Sequence, residues 1–379
     1  MKTLNLKLML LFASVLLFSL FSASCSSDDD NKSDIPSDNQ ADPNPEIDKT
    51  NTFIPNAQFS TSGNSVEIEV NLTGIQHPET QEWLKLFGTT EINQNVWVEV
   101  DGQPKGIVVV NKASDPNRKL LVDLVFTVDN SSSMGQEADS VANSIVKWAT
   151  KLDNKGFDIR FGCVGFGYYY NDNTTGGIDF TDLDGINTFL NREGKKGITR
   201  TVGFEGPEAE RLKEASKDYK RARDECGAEA IRFADENFTF RTGANRIYVN
   251  FTDEPNQPKN YEEISVEFFA NQENWNTAQG TIHTVYSASP NFTQTALYRE
   301  YPWLMSEYTG GTTIYAPSNF ANVSLDTLPV TGAMENSYII RFNNNSQVTD
   351  GQHEVKVTIL STDGKVKAEK TFKNVKFGN

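Results

Sequence analysis

Two textures alternate along the chain. Between residues 52 and 110, short runs switch between apolar and polar at every second position, as in Ser65-Val66-Glu67-Ile68-Glu69-Val70 and Val96-Trp97-Val98-Glu99-Val100, the latter followed by Asp101-Gly102. Period-two alternation broken by Asp-Gly predicts strand, turn and strand, with one face in a core and one in water. The texture returns after Ser337 in Tyr338-Ile339-Ile340-Arg341-Phe342 and Glu354-Val355-Lys356-Val357-Thr358-Ile359, then Thr362-Asp363-Gly364 precedes a last strand near Thr371. Neither piece has enough strands for a stable sheet of its own. Residues 51–118 and 330–379 are therefore expected to combine into one small antiparallel β-sandwich, with everything between them inserted.

The middle, residues 119–320, has a different period. Leu120-Leu121-Val122-Asp123-Leu124-Val125-Phe126-Thr127-Val128 is almost unbroken apolar sequence, the mark of a strand covered on both faces. Ala138, Val141, Ala142, Ile145, Val146 and Ala149 follow at helical spacing. Further strands are predicted at 157–166, 246–251, 281–286 and 312–315, with helix-like stretches around 226–234 and 264–269. Strands alternating with helices predict an α/β domain with a doubly wound, mostly parallel sheet.

One cluster of chemistry stands out within this domain. Asp129-x-Ser131-x-Ser133 closes the first central strand, at the carboxyl end where open α/β sheets place their ligand crevice. Met134-Gly135 and the amphipathic stretch come next, and a later apolar strand closes in Phe251-Thr252-Asp253-Glu254. The bland alternative makes Asp129 a helix N-cap, Ser131 and Ser133 first-turn residues, and Asp253 part of a turn.

Apolar strand, Asp-x-Ser-x-Ser, Met, Gly, helix, then a later strand ending in Thr-Asp resembles the von Willebrand factor A family across residues 119–320. The resemblance implies a metal-ion-dependent adhesion site holding one Mg²⁺ (or Ca²⁺ or Mn²⁺) per chain. Ser131 and Ser133 would supply hydroxyl ligands, and Asp129 and Asp253 would bind directly or through water. The family adds a threonine from a later loop, and the segment from Thr199 to Glu208 offers Thr199, Thr201 or Glu205 for that place, with Thr201 preferred. A hard cation suits such oxygen ligands. Few direct negative ligands leave it electrophilic, so that an open position can take a carboxylate from a partner.

The N-terminus sets the compartment. Lys2 and Lys7 precede an apolar run over residues 8–21 that is short for a membrane span and reads as a signal peptide, residues 1–24. Ser22-Ala23-Ser24-Cys25 resembles a lipoprotein processing site, which would make Cys25 the acylated mature N-terminus and anchor the chain to the membrane. Ser26-Ser27-Asp28-Asp29-Asp30 looks like the export tag of surface lipoproteins of some Gram-negative bacteria. The implied location is the outer membrane, facing outward. Residues 25–50, rich in Asp, Asn, Ser and Pro, are expected to form an acidic, disordered tether. The remaining cysteines, Cys163 and Cys226, would meet an oxidising compartment, either bonded to each other or as two separate buried thiols.

A formal charge of -16, made two units more negative by loss of Lys2 and Lys7 with the signal, argues against nucleic acid as a partner. Catalytic readings lack parts: His77, His283 and His353 have no metal-ligand spacing, and no nucleophile elbow or phosphate loop is visible. The chain is thus read as a binding or adhesion lipoprotein of the cell envelope, not an enzyme, that grips a protein or glycan through its metal. The alternatives are a structural subunit of an envelope or secretion assembly and, more weakly, a surface polysaccharide hydrolase. Tyr168, Tyr169 and Tyr170 are either a ligand contact or a packed loop. The charged stretch from Glu208 to Glu225 is expected to be an exposed helical insertion.

Overall fold

In a computed structural model, residues 34–61, 67–88, 93–112, 120–169, 172–219, 224–258, 264–276, 279–287, 299–321, 323–343 and 351–377 are described, the side chains of Tyr168, Tyr169, Asp172 and Asn173 excepted. The export signal, Cys25 and Tyr170 lie outside them. All that follows concerns the unit Ile35–Asn379. Among the described residues no helix is long and apolar enough to cross a membrane.

The N-terminal part supplies β1 (Gln58–Thr61), β2 (Glu67–Leu72), β3 (Val96–Val100), β4 (Gln103–Pro104) and β5 (Ile107–Asn111). The central part runs β6 (Leu121–Asp129), α1 (Ala138–Asp153), β7 (Asp158–Tyr169), β8 (Asp172–Thr181), α2 (Leu183–Leu190), β9 (Gly203–Glu205), α3 (Ala209–Ala215) and α4 (Gly227–Asn237). It continues with β10 (Asn245–Thr252), β11 (Thr281–Tyr286), α5 (Leu304–Thr309), β12 (Thr313–Tyr315) and α6 (Val330–Glu335). The chain closes with β13 (Tyr338–Asn343), β14 (His353–Leu360) and β15 (Lys367–Val375).

The two ends form the sandwich that their alternation predicts. One sheet has the order β1-β2-β13-β5 and the other β15-β14-β3-β4, so each mixes strands from both ends of the chain. Ile340 sits opposite both Val70 and Val109, and Val357 opposite Val98. The alternate positions Ile68, Val70, Val96, Val98, Ile340, Phe342, Val355 and Val357 point into one shared core, each contributing roughly 1.5–3 kcal/mol by burial. Tyr338, where the chain returns to the sandwich, lies opposite Asn111, where it leaves. An insertion whose two ends are neighbouring residues in one sheet leaves the register of that sheet intact.

Composition predicts a tether as far as residue 50, and the structure corrects this. From Ile35 on, the segment lies along the sandwich. Ile35 is buried, Asp38 pairs with Lys105 at 2.7 Å, Asn44 donates to the Thr358 hydroxyl at 3.3 Å, and Asp48 pairs with Lys367 at 2.8 Å. Polar composition concealed this, because the segment is held largely by side-chain hydrogen bonds and lysine pairs.

The central sheet has seven strands in the order β12-β11-β10-β6-β7-β8-β9, all neighbours parallel except β7 with β8. Helices cover both faces. Leu124, Phe126 and Val128 of β6 face α1, α2 and α6, whereas Val125 faces α3, α4 and α5, which explains the unbroken apolar run. Its one charged interruption, Asp123, is fully buried between Arg160 (2.8 Å) and Arg241 (2.9 Å). Cys163 and Cys226 are buried thiols outside any disulfide, and belong to these two different clusters. Of the two arrangements open for them, that of separate thiols is the one found, because the sheet lies between them.

Candidate metal centre

β6 and β10 are parallel neighbours, with Phe251 opposite Val128, so Asp129 and the pair Thr252-Asp253 reach the same end of the sheet together. Asp129 is fully buried. One of its carboxylate oxygens accepts the Ser131 backbone N–H at 2.9 Å and the other accepts the Thr252 hydroxyl at 2.8 Å. The Ser131 and Ser133 hydroxyls lie 2.9 Å apart, and Ser133 donates to Asp253 Oδ1 at 3.0 Å. A chain of hydroxyls and carboxylates thus runs from buried Asp129 to exposed Ser133.

Part of the capping alternative is present: Asp129 accepts the Ser131 N–H, Ser133 lies in a short 3-10 turn and Asp253 follows the end of β10, but the capping itself is incomplete. Ser131 precedes the short 3-10 turn Ser132–Gly135 but makes no side-chain capping hydrogen bond, and Asp129 is the last residue of β6.

Among the three candidates for the remaining ligand, the structure separates Thr201 from the others. Thr201 is buried, and its hydroxyl accepts from Asn130 Nδ2 at 3.1 Å, beside Asp129. Its approach depends on glycine: a Cβ on Gly165 would stand 2.5 Å from the Thr201 carbonyl oxygen and one on Gly176 would stand 2.2 Å from it. Thr199 donates to the Lys196 carbonyl at 2.8 Å, closing its own turn, and exposed Glu205 lies 3.7 Å from Arg192.

Two carboxylates escaped the sequence reading. Gly167 lies between Asp129 and Glu225, a Cβ there being 3.1 Å from Asp129 Oδ1 and 3.1 Å from Glu225 Cγ. Glu225 ends the stretch expected to be an exposed helical insertion; the helix is there as α3, but its Leu212 is buried and Glu225 packs inward, accepting from Gln257 Nε2 at 3.1 Å. Buried Glu137 accepts from the Ser287 hydroxyl at 3.0 Å at the end of β11. A hydrophobic helix start directly after Glu225-Cys226 was the available signal, too common to weigh.

The electrostatics follow from this crowding. Burial, then the charge of Asp253, raises Asp129 to about 7. Burial, then the charge of Asp129, raises Glu225 to about 8. Burial raises Asp253, and burial followed by the Asp253 charge raises Glu254. Among the described residues no Lys or Arg forms an ion pair with Asp129, Asp253 or Glu225. Clustered acidic oxygens with three hydroxyls fit a hard divalent ion. None of the histidines joins the cluster: His77 accepts from Glu79 N, His283 from Thr312 N, and His353 lies 2.7 Å from Asp101.

The sequence matches no protein-family model and no curated protein. Similar solved structures include the pilus adhesin SpaC of Lactobacillus rhamnosus GG in its open conformation, 11% identical, covering 89% of this chain and 49% of that one, TM-score 0.37. Proximal thread matrix protein 1 from the mussel byssus is 14% identical over 62% of this chain and 49% of its own, TM-score 0.35. VWA2, the ArnB paralog of Sulfolobus acidocaldarius, is 11% identical over 75% and 76%, TM-score 0.30. The chain spans about half the length of the first two. The fold, a mostly parallel seven-stranded α/β sheet set into an antiparallel sandwich, stands on its own strand order.

Proposed function

We propose that the chain is a metal-dependent binding lipoprotein of the bacterial cell envelope, anchored through Cys25 at the outer-membrane surface. In this reading Asp129, Ser131, Ser133, Thr201 and Asp253 hold one Mg²⁺, Ca²⁺ or Mn²⁺. The observation that carries the reading is the path of hydroxyls and carboxylates from buried Asp129 to exposed Ser133, with no Lys or Arg among the described residues paired to either aspartate. A cation here would supply Lewis acidity at the surface. Hydroxyl ligands leave most of its charge uncompensated, so it favours an acidic group from outside. Asp129 and Thr252 hold the inner oxygens in place, while Ser133 and Asp253 present the outer ones to a partner. The partner is a protein or glycan bearing a carboxylate, and the chain binds it without transforming it.

Capture of outer-membrane and matrix fractions by the full chain in Mg²⁺, repeated in EDTA, tests this reading. Chelation should abolish capture while circular dichroism stays that of the folded protein; capture that survives EDTA would place recognition elsewhere. The anchor has its own test: Cys25→Ser should leave the membrane fraction or stall in maturation, and unchanged fractionation would remove it.

A further inference from the structure

At the amino ends of β10, β11 and β12, the far end of the sheet from Asp129, the central domain meets the sandwich loops and α6 around a cavity of about 330 Å³. Its wall differs from the rest of the protein. The chain has 51 Asp and Glu, yet among the described residues no carboxylate lines the cavity, whereas six carboxamides and four threonines do. The one charged residue that the described residues place on the wall, Arg246, has its guanidinium over Phe240 at 4.2 Å and near Asp235 at 3.6 Å.

Two further observations point to an occupant. On the wall, buried His283 accepts the Thr312 N–H on Nδ1 at 3.0 Å, which places its proton on Nε2. Burial lowers His283 to about 4, so it is a fixed neutral donor at neutral pH. At the lip stands Phe53, 71% exposed, one of two large hydrophobic side chains that the described residues leave in water. Half-buried Trp83 completes the aromatic part, its place set by Gly332, where a Cβ would come within 2.4 Å of the ring.

We propose that this cavity is a second, metal-independent binding site for a neutral saccharide. Aromatic side chains suit the apolar faces of a sugar ring, and carboxamides, hydroxyls and a neutral imidazole suit its hydroxyls. A wall without free charge gives no reason to select a phosphate or carboxylate. The volume lies at the small end of ligand sites, which run from about 300 to 1,000 Å³, and so favours one or two sugar units. The competing content is ordered water on His283 and the surrounding carboxamides.

The test uses the full-length protein in a detergent without a sugar headgroup, with EDTA throughout. Maltose, cellobiose, lactose and N,N′-diacetylchitobiose are each offered up to about 10 mM, a range that reaches weak single-site affinities, and followed by saturation-transfer NMR and calorimetry. At least one should bind, with the same affinity in Mg²⁺ and EDTA. Phe53→Ala, an exposed position that does not threaten the fold, should weaken binding about tenfold, the worth of one lost ring contact. Binding of none of the four overturns the proposal, and so does equal binding by the variant. Loss of binding in EDTA also overturns it and assigns the sugar to the Asp129 site.

Discussion

Asp253→Ala separates a metal site from a merely structural cluster of hydroxyls. Without cation, the substitution removes one hydrogen bond, from Ser133 at 3.0 Å on an exposed hydroxyl, worth roughly 0.5–1.5 kcal/mol. It also removes the charge that, after burial, contributes most to raising Asp129. The two effects oppose, so the cation-free variant should unfold within about 1 kcal/mol of the parent. With cation the proteins diverge. Losing a supporting group at a metal site weakens affinity by about 10–100-fold. At a cation concentration 100 times the parent Kd, the parent gains about 2.7 kcal/mol, whereas a variant weakened 100-fold gains only about 0.4 kcal/mol. At about 2–4 °C per kcal/mol, the parent's melting temperature should rise by roughly 5–10 °C and the variant's by about 1 °C. Thermal unfolding followed by circular dichroism in EDTA and in Mg²⁺ reads both numbers. Equal cation-induced rises in the two proteins, or a variant that is already unfolded in EDTA, would refute the reasoning.

Three other outcomes are expected. Gly165→Ala should force Thr201 and Asn130 away, costing about 1–3 kcal/mol by overpacking and lowering cation affinity in calorimetry, whereas Gly135→Ala, with no atom within 4 Å of the added Cβ, should do neither. Asp123→Ala, which strands Arg160 and Arg241 beside a buried strand, should lose about 3–5 kcal/mol in urea unfolding; a loss near zero would mean that the two arginines rehydrate freely. For His283, held at about 4 when folded against an ordinary 6.5, the unfolded chain takes up the proton first. Its contribution is therefore complete above pH 6.5 and lost as pH falls towards 4, up to about 3 kcal/mol. His283→Gln should flatten the stability profile by that amount over this window, and an unchanged difference between the two proteins would show that His283 is not desolvated.

Much of this architecture is legible in local sequence, because the deciding forces act at short range. The alternation in β3 and β14 and the apolar run of β6 each report which faces are covered, and that information is periodic. Asp129, Ser131 and Ser133 stand out for the same reason: they fall within five consecutive positions at the end of a recognisable strand. Thr201 could only be narrowed to a loop, since its selection depends on Gly165 and Gly176 permitting a backbone contact across the sheet. Glu225 was invisible, because a carboxylate at the end of a charged stretch looks solvated until Gly167 is seen to bring it beside Asp129. In α1, Trp148 and Leu152 extend the expected buried stripe. The misreading of residues 35–50 has the same origin, since Asp38 and Asp48 are held by lysines far along the chain.

The central claim is that one divalent ion sits among Asp129, Ser131, Ser133, Thr201 and Asp253, and anomalous scattering from crystals soaked in Mn²⁺ tests it most directly. The account predicts a single strong anomalous peak within bonding distance, about 2.0–2.3 Å, of the Ser131 and Ser133 hydroxyls, at the end of β6. A map without a peak there at saturating Mn²⁺, or with its strongest peak at another acidic patch of this acidic chain, would contradict it.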